Sequence, residues 1–324
     1  MNCLITIILP VYGRSALLKA ALSSVYAQTD PDWRLHIADD GSDDKTAKLI
    51  SDQLQDHRVS CVRRPKNIGL FANLNQATSE VQTPWQLILC SDDELKPDAI
   101  SKLKRTIHDY PDVRLILSSY ESIDINGHLR YNVNAEFYDL FAQETQCFPP
   151  GDLLKSLLRF GSINGNITGL LIHNSLFSDA GVWRSDWTQA ADWEWLIRAS
   201  AQASVLIRRD AIARVRVHEG QLSVSNQKTQ RELLETLELL TELINHPLLA
   251  QYPERFRWAA YHGQFQLWNT LKRSRRLGFH KTFSQLSAIH RTIGLRRSIQ
   301  ALFLSFPDRL RVHGTDRPLL PPLQ

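Results

Sequence analysis

The sequence predicts an α/β protein built on a mostly parallel sheet flanked by helices, with a helical extension behind it. Three observations carry this. Apolar, β-branched-rich runs alternate with segments of helical spacing from the start of the chain. That β-α-β-α-β order forces parallel pairing. Acidic clusters end the second and fourth runs, where open α/β sheets keep their ligand crevice. The length of 324 residues is enough for one large domain plus an extension, and 43% hydrophobic with 22% charged residues is ordinary globular composition.

Leu4–Leu9 is the first strand, ended by Pro10-Val11-Tyr12-Gly13-Arg14. Ser15–Ala27 follows with Leu18, Leu22 and Val25 at helical spacing. Trp33–Ala38 is the second strand and runs into Asp39-Asp40-Gly41-Ser42-Asp43-Asp44. Ser42 or Asp43 suits a helix N-cap. Capping does not account for four acids in six residues, which favours a functional run. A helix to about Leu54, a strand Val59–Arg63, the loop Arg64–Gly69 and a helix Leu70–Ser79 come next. Trp85–Cys90 is then a buried strand ending in Ser91-Asp92-Asp93-Glu94, followed by a helix Pro97–His108. Adjacent carboxylates at a strand end repel unless a cation or hydrogen-bond donors compensate them. Oxygen ligation with room left for phosphates suits Mg²⁺ or Mn²⁺, whereas the bland alternative is a solvated acidic turn.

Val113–Tyr120 and Glu121–Tyr131 read as two further strands, with Asn126-Gly127 as a hairpin turn. Tyr138–Pro150 reads as irregular, Leu153–Phe160 as a short helix, and the small, polar segment Gly161–Gly169 as a loop that could line a ligand. Ala190–Ala203 is an amphipathic helix with Asp192 near its start, where the helix dipole favours an ionised carboxylate. Ala211–Val217 is strand-like and leads to His218. The last hundred residues read as helices with three apolar stripes: Leu233, Leu237, Leu240 and Ile244; Tyr261, Phe265 and Trp268; Leu295, Ile299, Leu302 and Phe306.

Charge is uneven. Residues 271–317 carry eleven Lys/Arg against Asp308 and Asp316, a surplus of +9 that leaves −5 elsewhere from a net +4. A membrane surface or an anionic acceptor suits such a tail. A helical subdomain packed on the core with a solvated basic face suits it slightly better, because the apolar stripes would equally pack one another. Nucleic acid is disfavoured, since no aromatic-stacking or zinc module accompanies the charge. The four cysteines have no metal spacing and read as reduced thiols. No secretory leader or bilayer-length apolar run is apparent, so the expectation is a cytoplasmic protein, at most peripheral to the inner face of the plasma membrane. Neither a G-x-G-x-x-G nor a P-loop follows the first strand, which disfavours dinucleotide and P-loop modes.

Pro10-Val11-Tyr12, Asp39–Asp44, Asn67-Ile68-Gly69, Cys90-Ser91-Asp92-Asp93, Gly181-Val182-Trp183, Ala191-Asp192-Trp193-Glu194 with Arg198, and Arg216-Val217-His218 followed by Ser223 stand in one order. In that order and spacing the chain resembles family 2 glycosyltransferases of the GT-A fold over roughly residues 4–225. The resemblance implies an inverting transfer from a nucleotide-sugar donor, by default a UDP-sugar, to an acceptor hydroxyl of a cell-surface glycan or glycolipid precursor. It implies a divalent metal, Mn²⁺ or Mg²⁺, on the diphosphate. Pro10, Val11, Tyr12 and Arg14 are expected at the nucleotide, Asp39 or Asp40 at the base, and Asn67, Gly69, Asn73 and Ser91 close by, with Asn75 in second place. Asp92 is the expected metal acid. Cys90 stands where the family's motif opens with an acid, so the expected metal set is Asp92, Asp93 and His218. Leu74 replaces a frequent Arg, and Ala191 replaces an acid that often precedes the base.

The chemistry calls for such groups: charge builds on the leaving diphosphate, and the attacking hydroxyl must lose a proton to a positioned base. Asp192 is the expected base; Glu194, two residues on, faces elsewhere. Residues 1–225 are expected to form the transferase domain and 226–324 a basic helical extension. A nucleotidyltransferase on a related scaffold is the second reading, and a catalytically inactive sugar- or nucleotide-binding module, suggested by Cys90 and Ala191, the third.

Overall fold

A computed structural model describes residues 4–130, 142–163, 166–222 and 231–305. The strands are β1 (Ile5–Val11), β2 (Arg34–Asp39), β3 (Val59–Arg63), β4 (Trp85–Ile88), β5 (Glu94–Leu95), β6 (Leu115–Ile123), β7 (Leu129–Arg130), β8 (Gln146–Phe148), β9 (Leu170–His173) and β10 (Val205–Arg216). Eight of them form one sheet in the order β3-β2-β1-β4-β9-β6-β10-β5, with β7 added to β6 and β8 to β10. The block β3-β2-β1-β4 is parallel, as is the long β6–β10 register, so parallel pairs account for most aligned positions. β9 is the exception in the middle, antiparallel to both β4 and β6.

Helices cover both faces: α1 (Ser15–Tyr26), α2 (Asp44–Ser51), α3 (Leu70–Glu80), α4 (Ala99–Asp109), α5 (Leu153–Phe160), α6 (Ser175–Ala180), α7 (Ala191–Gln202), α8 (Arg231–Ile244), α9 (Arg255–Thr292) and α10 (Leu295–Leu304). The period-two pattern of β1 distributes its side chains accordingly. Ile5, Ile7 and Leu9 enter the core under α1 and α4, while Ile8 enters the core shared by α3, α5, α7 and α8. Leu233, Leu237, Leu240 and Ile244 are buried in that second core, as the first C-terminal stripe requires.

Several expectations shift. β6 runs on to Ile123 instead of breaking at Tyr120, because Glu121 within it is paired with Lys96 and Arg214 and need not end the strand. The hairpin turn falls at Asn126-Gly127 as expected, with Asp124 accepting from the N–H groups of Asn126 and His128. β9, β8 and α6 carry too few residues to show a period. The third stripe holds in part: Leu295 and Leu302 pack half-buried against the core, while α10 also buries Ser298 and Ala301 and leaves Ile299 38% exposed. Close packing is the cause, since a Cβ on Gly263 of α9 would meet Ser298 Oγ at 2.6 Å. Phe306, Arg309, Arg311 and Ser223 lie outside the described residues. Among the described residues no helix is long and apolar enough to cross a membrane.

Gly41 has φ +76°, and a Cβ there would lie 2.9–3.1 Å from the backbone of Lys66 and Asn67. Only glycine lets the β2–α2 turn touch the loop after β3. Gly41→Ala should cost more than about 1 kcal/mol of stability, measured by urea unfolding; an unchanged midpoint would contradict this packing.

Candidate active site

One open cavity of about 720 Å³ lies at the carboxyl ends of β1, β2 and β4 and extends to the start of α7 and to α8. It joins Asp92 and Asp93 to Asp192, which are a hundred residues apart in sequence.

Its centre is the corner after β4. The Cys90 N–H donates to Thr168 Oγ1 (3.0 Å), and Asp93, 1% exposed, is built into the scaffold. One Asp93 oxygen accepts from the Thr168 hydroxyl (2.5 Å) and the Asn166 amide (3.4 Å); the other accepts from the Arg216 N–H (2.8 Å). The Arg216 side chain in turn donates to the Asp92 carbonyl (3.0 Å) and pairs with Glu94. Burial, with the negative Asp92 beside it, pushes the Asp93 carboxyl upward. The Asp92 carboxylate is instead held by the side chains of Arg14 (2.9 Å) and His218 (3.2 Å). Arg14 takes φ 59°, a left-handed conformation costly for a residue with a Cβ, and also donates to the Gly220 carbonyl.

The ligating atoms of Cys90, Asp92 and Asp93 fall within 4.8 Å of one another. Burial, with both acids adding to it, raises Cys90 well above its ordinary range, so it stays a thiol. Both Asp93 oxygens are engaged by protein donors. The donor set that fits a divalent cation is therefore the Asp92 carboxylate with the His218 imidazole, oxygen plus nitrogen as Mn²⁺ accepts and Mg²⁺ tolerates. Asp93 braces the corner from behind.

At the nucleotide end, Pro10, Val11, Tyr12, Arg14, Asp40, Asn67, Gly69, Asn73 and Ser91 all line the cavity, and the Tyr12 ring is 59% exposed. Asp39 does not line it: its side chain is buried, accepting from the Ser42 N–H (2.9 Å) and facing Arg63 (3.3 Å). Asp40 accepts from the N–H groups of Ile68 (2.8 Å) and Gly69 (3.0 Å), which fixes the loop before α3. Asp43 caps α2 through the Thr46 N–H, and Asp44 lies in that helix's first turn. Each acid of the run thus has a local structural use, and only Asp40 also faces the cleft. Asn73 donates to the Ala38 carbonyl (2.7 Å), whereas Asn75 points away and bonds both backbone groups of Trp183.

At the far end Asp192 occupies the first turn of α7 and accepts from the Trp193 N–H (2.8 Å). Burial, with a smaller push from the charge of Glu235, raises it to about 6. Burial outweighs the helix dipole here, so the expectation of a carboxyl held firmly ionised is corrected. A carboxyl near 6 is matched to base work near neutral pH. Glu194 is buried against Arg198, whose guanidinium donates to the carbonyls of Ala180 and Val182. This pair clamps the Gly181-Val182-Trp183 segment to α7. Sequence reasoning missed Thr168 and Arg216 as braces, and Glu232 and Thr236 of α8, which line the cavity.

The cleft thus lies where an open α/β sheet keeps its ligand crevice, with acids at both ends. Residues 6–177 match the family model described as Glycosyl transferase family 2, and the chain belongs to that family. Relatives include an uncharacterized glycosyltransferase of Rickettsia typhi, 25% identical over 316 residues (93% of this chain, 95% of that one). A teichoic acid poly(glycerol phosphate) polymerase of Staphylococcus epidermidis is 32% identical over 99 residues (30% of this chain, 14% of that one). Among solved structures, S. aureus TarS 1–349 in complex with UDP-GlcNAc aligns with TM-score 0.70 at 15% identity, covering 97% of this chain and 95% of that one. A mannosyltransferase from Pyrobaculum calidifontis in complex with GDP-Man and Mn²⁺ aligns with TM-score 0.55 at 15% identity, over 96% and 81%.

Thr168→Val removes the hydroxyl that holds both Asp93 and the Cys90 N–H. It should weaken Mn²⁺ binding by about tenfold or more, followed by calorimetry; unchanged affinity would show that the corner does not depend on this brace.

Proposed function

We propose that this chain moves a sugar from a UDP-sugar to an acceptor hydroxyl of a cell-surface glycan or glycolipid precursor, with inversion and with Asp192 as general base. The observation that carries the reading is the single cavity holding the Asp92 corner at one end and Asp192 at the other. UDP is favoured as the carrier by the UDP-GlcNAc complex of the TarS neighbour, and a wall-polymer type of acceptor by the teichoic acid relative.

In this scheme Pro10, Val11, Tyr12 and Asp40 receive the nucleoside, with Asn67 and Gly69 close to it, and Arg14 and Ser91 near the diphosphate. The acceptor oxygen approaches the anomeric carbon from the side opposite the diphosphate, and its proton passes to an Asp192 oxygen. The bond to the diphosphate breaks with its electron pair remaining on the phosphate. A divalent ion held by Asp92 and His218 would supply positive charge where that pair accumulates. Arg14, already paired with Asp92, has the length to turn toward the same phosphates. Residues 1–225 are taken as the transferase domain and 226–324 as its helical extension.

Asp192→Asn should abolish UDP release from UDP-GlcNAc with Mn²⁺ present while leaving UDP affinity nearly unchanged. In the wild type, turnover should rise with pH through about 6 as Asp192 loses its proton, and fall away below it. Full turnover in Asp192→Asn, or a flat profile between pH 5 and pH 7 (about one unit either side of that midpoint), would remove Asp192 from the mechanism.

The extension also supports peripheral membrane contact at the inner face of the plasma membrane. Residues 255–305 contain no Asp or Glu. α9 breaks at Gly278, beside which Phe279 and Phe283 stack at 6.3 Å while 81% and 64% exposed. Exposed aromatic rings among cations suit an anionic lipid surface. Co-flotation with phosphatidylglycerol liposomes at low salt is expected, and reduced in a Phe279→Ser/Phe283→Ser double variant. No flotation at low salt would end the membrane reading.

A further inference from the structure

Helix α8 follows the segments that resemble the family, yet one of its carboxylates reaches the turn that presents Asp192. Glu235 is 6% exposed. One of its oxygens accepts from the Thr188 N–H (2.9 Å) and the Thr188 hydroxyl (3.3 Å). The other accepts from the N–H groups of Gln189 (2.8 Å) and Ala190 (3.0 Å). Three successive backbone donors thus converge on one buried carboxylate. Ala190 is the N-cap residue of α7 and offers no side-chain cap of its own. An alanine there leaves the entry turn without the local acceptor that Ser, Thr, Asp or Asn would supply. Glu235 supplies it from 45 residues downstream. Its charge also sits at the positive end of the helix dipole.

We propose that Glu235 is a positioning residue for the transfer reaction: it fixes the turn entering α7 and lays its carboxylate beside the turn that presents Asp192. The proposal rests on Asp192 being the base. Three observations support it independently of that reading. The three N–H bonds leave the turn little freedom to rotate Asp192. Glu235 is the charged neighbour that raises Asp192. Glu232 and Thr236, on the same face of α8, line the cavity itself, so the helix borders the site as well as bracing it.

Other charged groups around Asp192 are accounted for. On its own helix Glu194 and Arg198 neutralise each other. Glu232 of α8 lines the cleft and feels Arg273 of α9. From the strand ends Arg14, Asp40, Asp92 and Asp93 share the cavity, with His218 on Asp92. None of these is altered by a change at Glu235, so a shift in Asp192 behaviour reads the Glu235 charge.

The test compares wild type, Glu235→Gln, Glu235→Ala and Asp192→Asn. Asp192 titration is followed by ¹³C NMR of carboxyl-labelled aspartate, the Asp192 signal being identified by its loss in Asp192→Asn. Glu235→Gln removes the charge and keeps the size and one of the two accepting oxygens, so the titration midpoint reads the charge and kcat reads the turn. Without that charge the Asp192 anion is easier to form, so its midpoint should move to lower pH, by about half a unit. The acid limb of UDP release from UDP-GlcNAc should move the same way. Glu235→Ala should lower kcat by about tenfold or more, with UDP affinity within about twofold of wild type.

An unmoved NMR midpoint in Glu235→Gln, or a loss of kcat with an unmoved acid limb, would reduce Glu235 to an ordinary structural cap and overturn the proposal. The glutamine variant is decisive if the alanine variant fails to fold. Full turnover in Asp192→Asn would instead remove the base assignment, whatever the titration shows.

Discussion

The architecture of the site depends on one buried carboxylate. Asp93 is reached by a hydroxyl from the segment before β9, an amide from the same segment and a backbone N–H from the end of β10. These segments come from three distant parts of the chain. A carboxylate buried without such donors would be costly. With them it acts as a knot where β4, β9 and β10 are drawn together, and the direction in which Asp92 leaves β4 follows from it. Arg216 tightens the same knot through the Asp92 carbonyl and Glu94. The placing of the Asp92 carboxylate is therefore a property of the sheet order, in which an antiparallel strand sits between β4 and β6.

The two ends of the cleft use charge in opposite ways. At the Asp92 end, the Arg14 guanidinium and the His218 ring already face the carboxylate, so the corner is not an uncompensated acidic hole. The cost of apposed acids noted in the sequence is met in this way by Arg14 and His218. At the Asp192 end, burial and a second carboxylate keep a proton within easy reach. Asp92 is ringed by side-chain donors and Asp192 is raised by burial, so two aspartates of one cleft differ by environment and not by residue type.

What the sequence displays and what it hides follow a physical line. The placing of Asp92 just past a strand and of Asp192 at a helix start was legible because both signals are local. Val59–Arg63 and the parallel block were legible because buried strands read as continuous apolar runs. Asp39 and Asp40 were separable only in three dimensions, since adjacent residues at the end of a strand face opposite ways. Thr168, Arg216 and Glu235 were invisible because each acts on a partner 45 to 123 residues away and belongs to no period. β9 was hidden for a related reason: four residues are too few to show alternation. The third C-terminal stripe misled at Ile299, because a glycine on the facing helix let Ser298 and Ala301 take the most buried places.

The alternation along β1 divides the molecule more deeply than any point in its sequence. Ile5, Ile7 and Leu9 belong to one core, and Ile8 to another that also holds Leu154, Trp195, Leu233 and Leu240. Residues at the Asp192 end of the cavity therefore pack as one layer with α5, α7 and α8. A recombinant that replaced this end of the cleft would have to exchange that whole layer of the sandwich. A cut-and-paste junction at residue 225 would leave mismatched volumes on both sides of the graft, because the inheritable unit here is a face of the sheet.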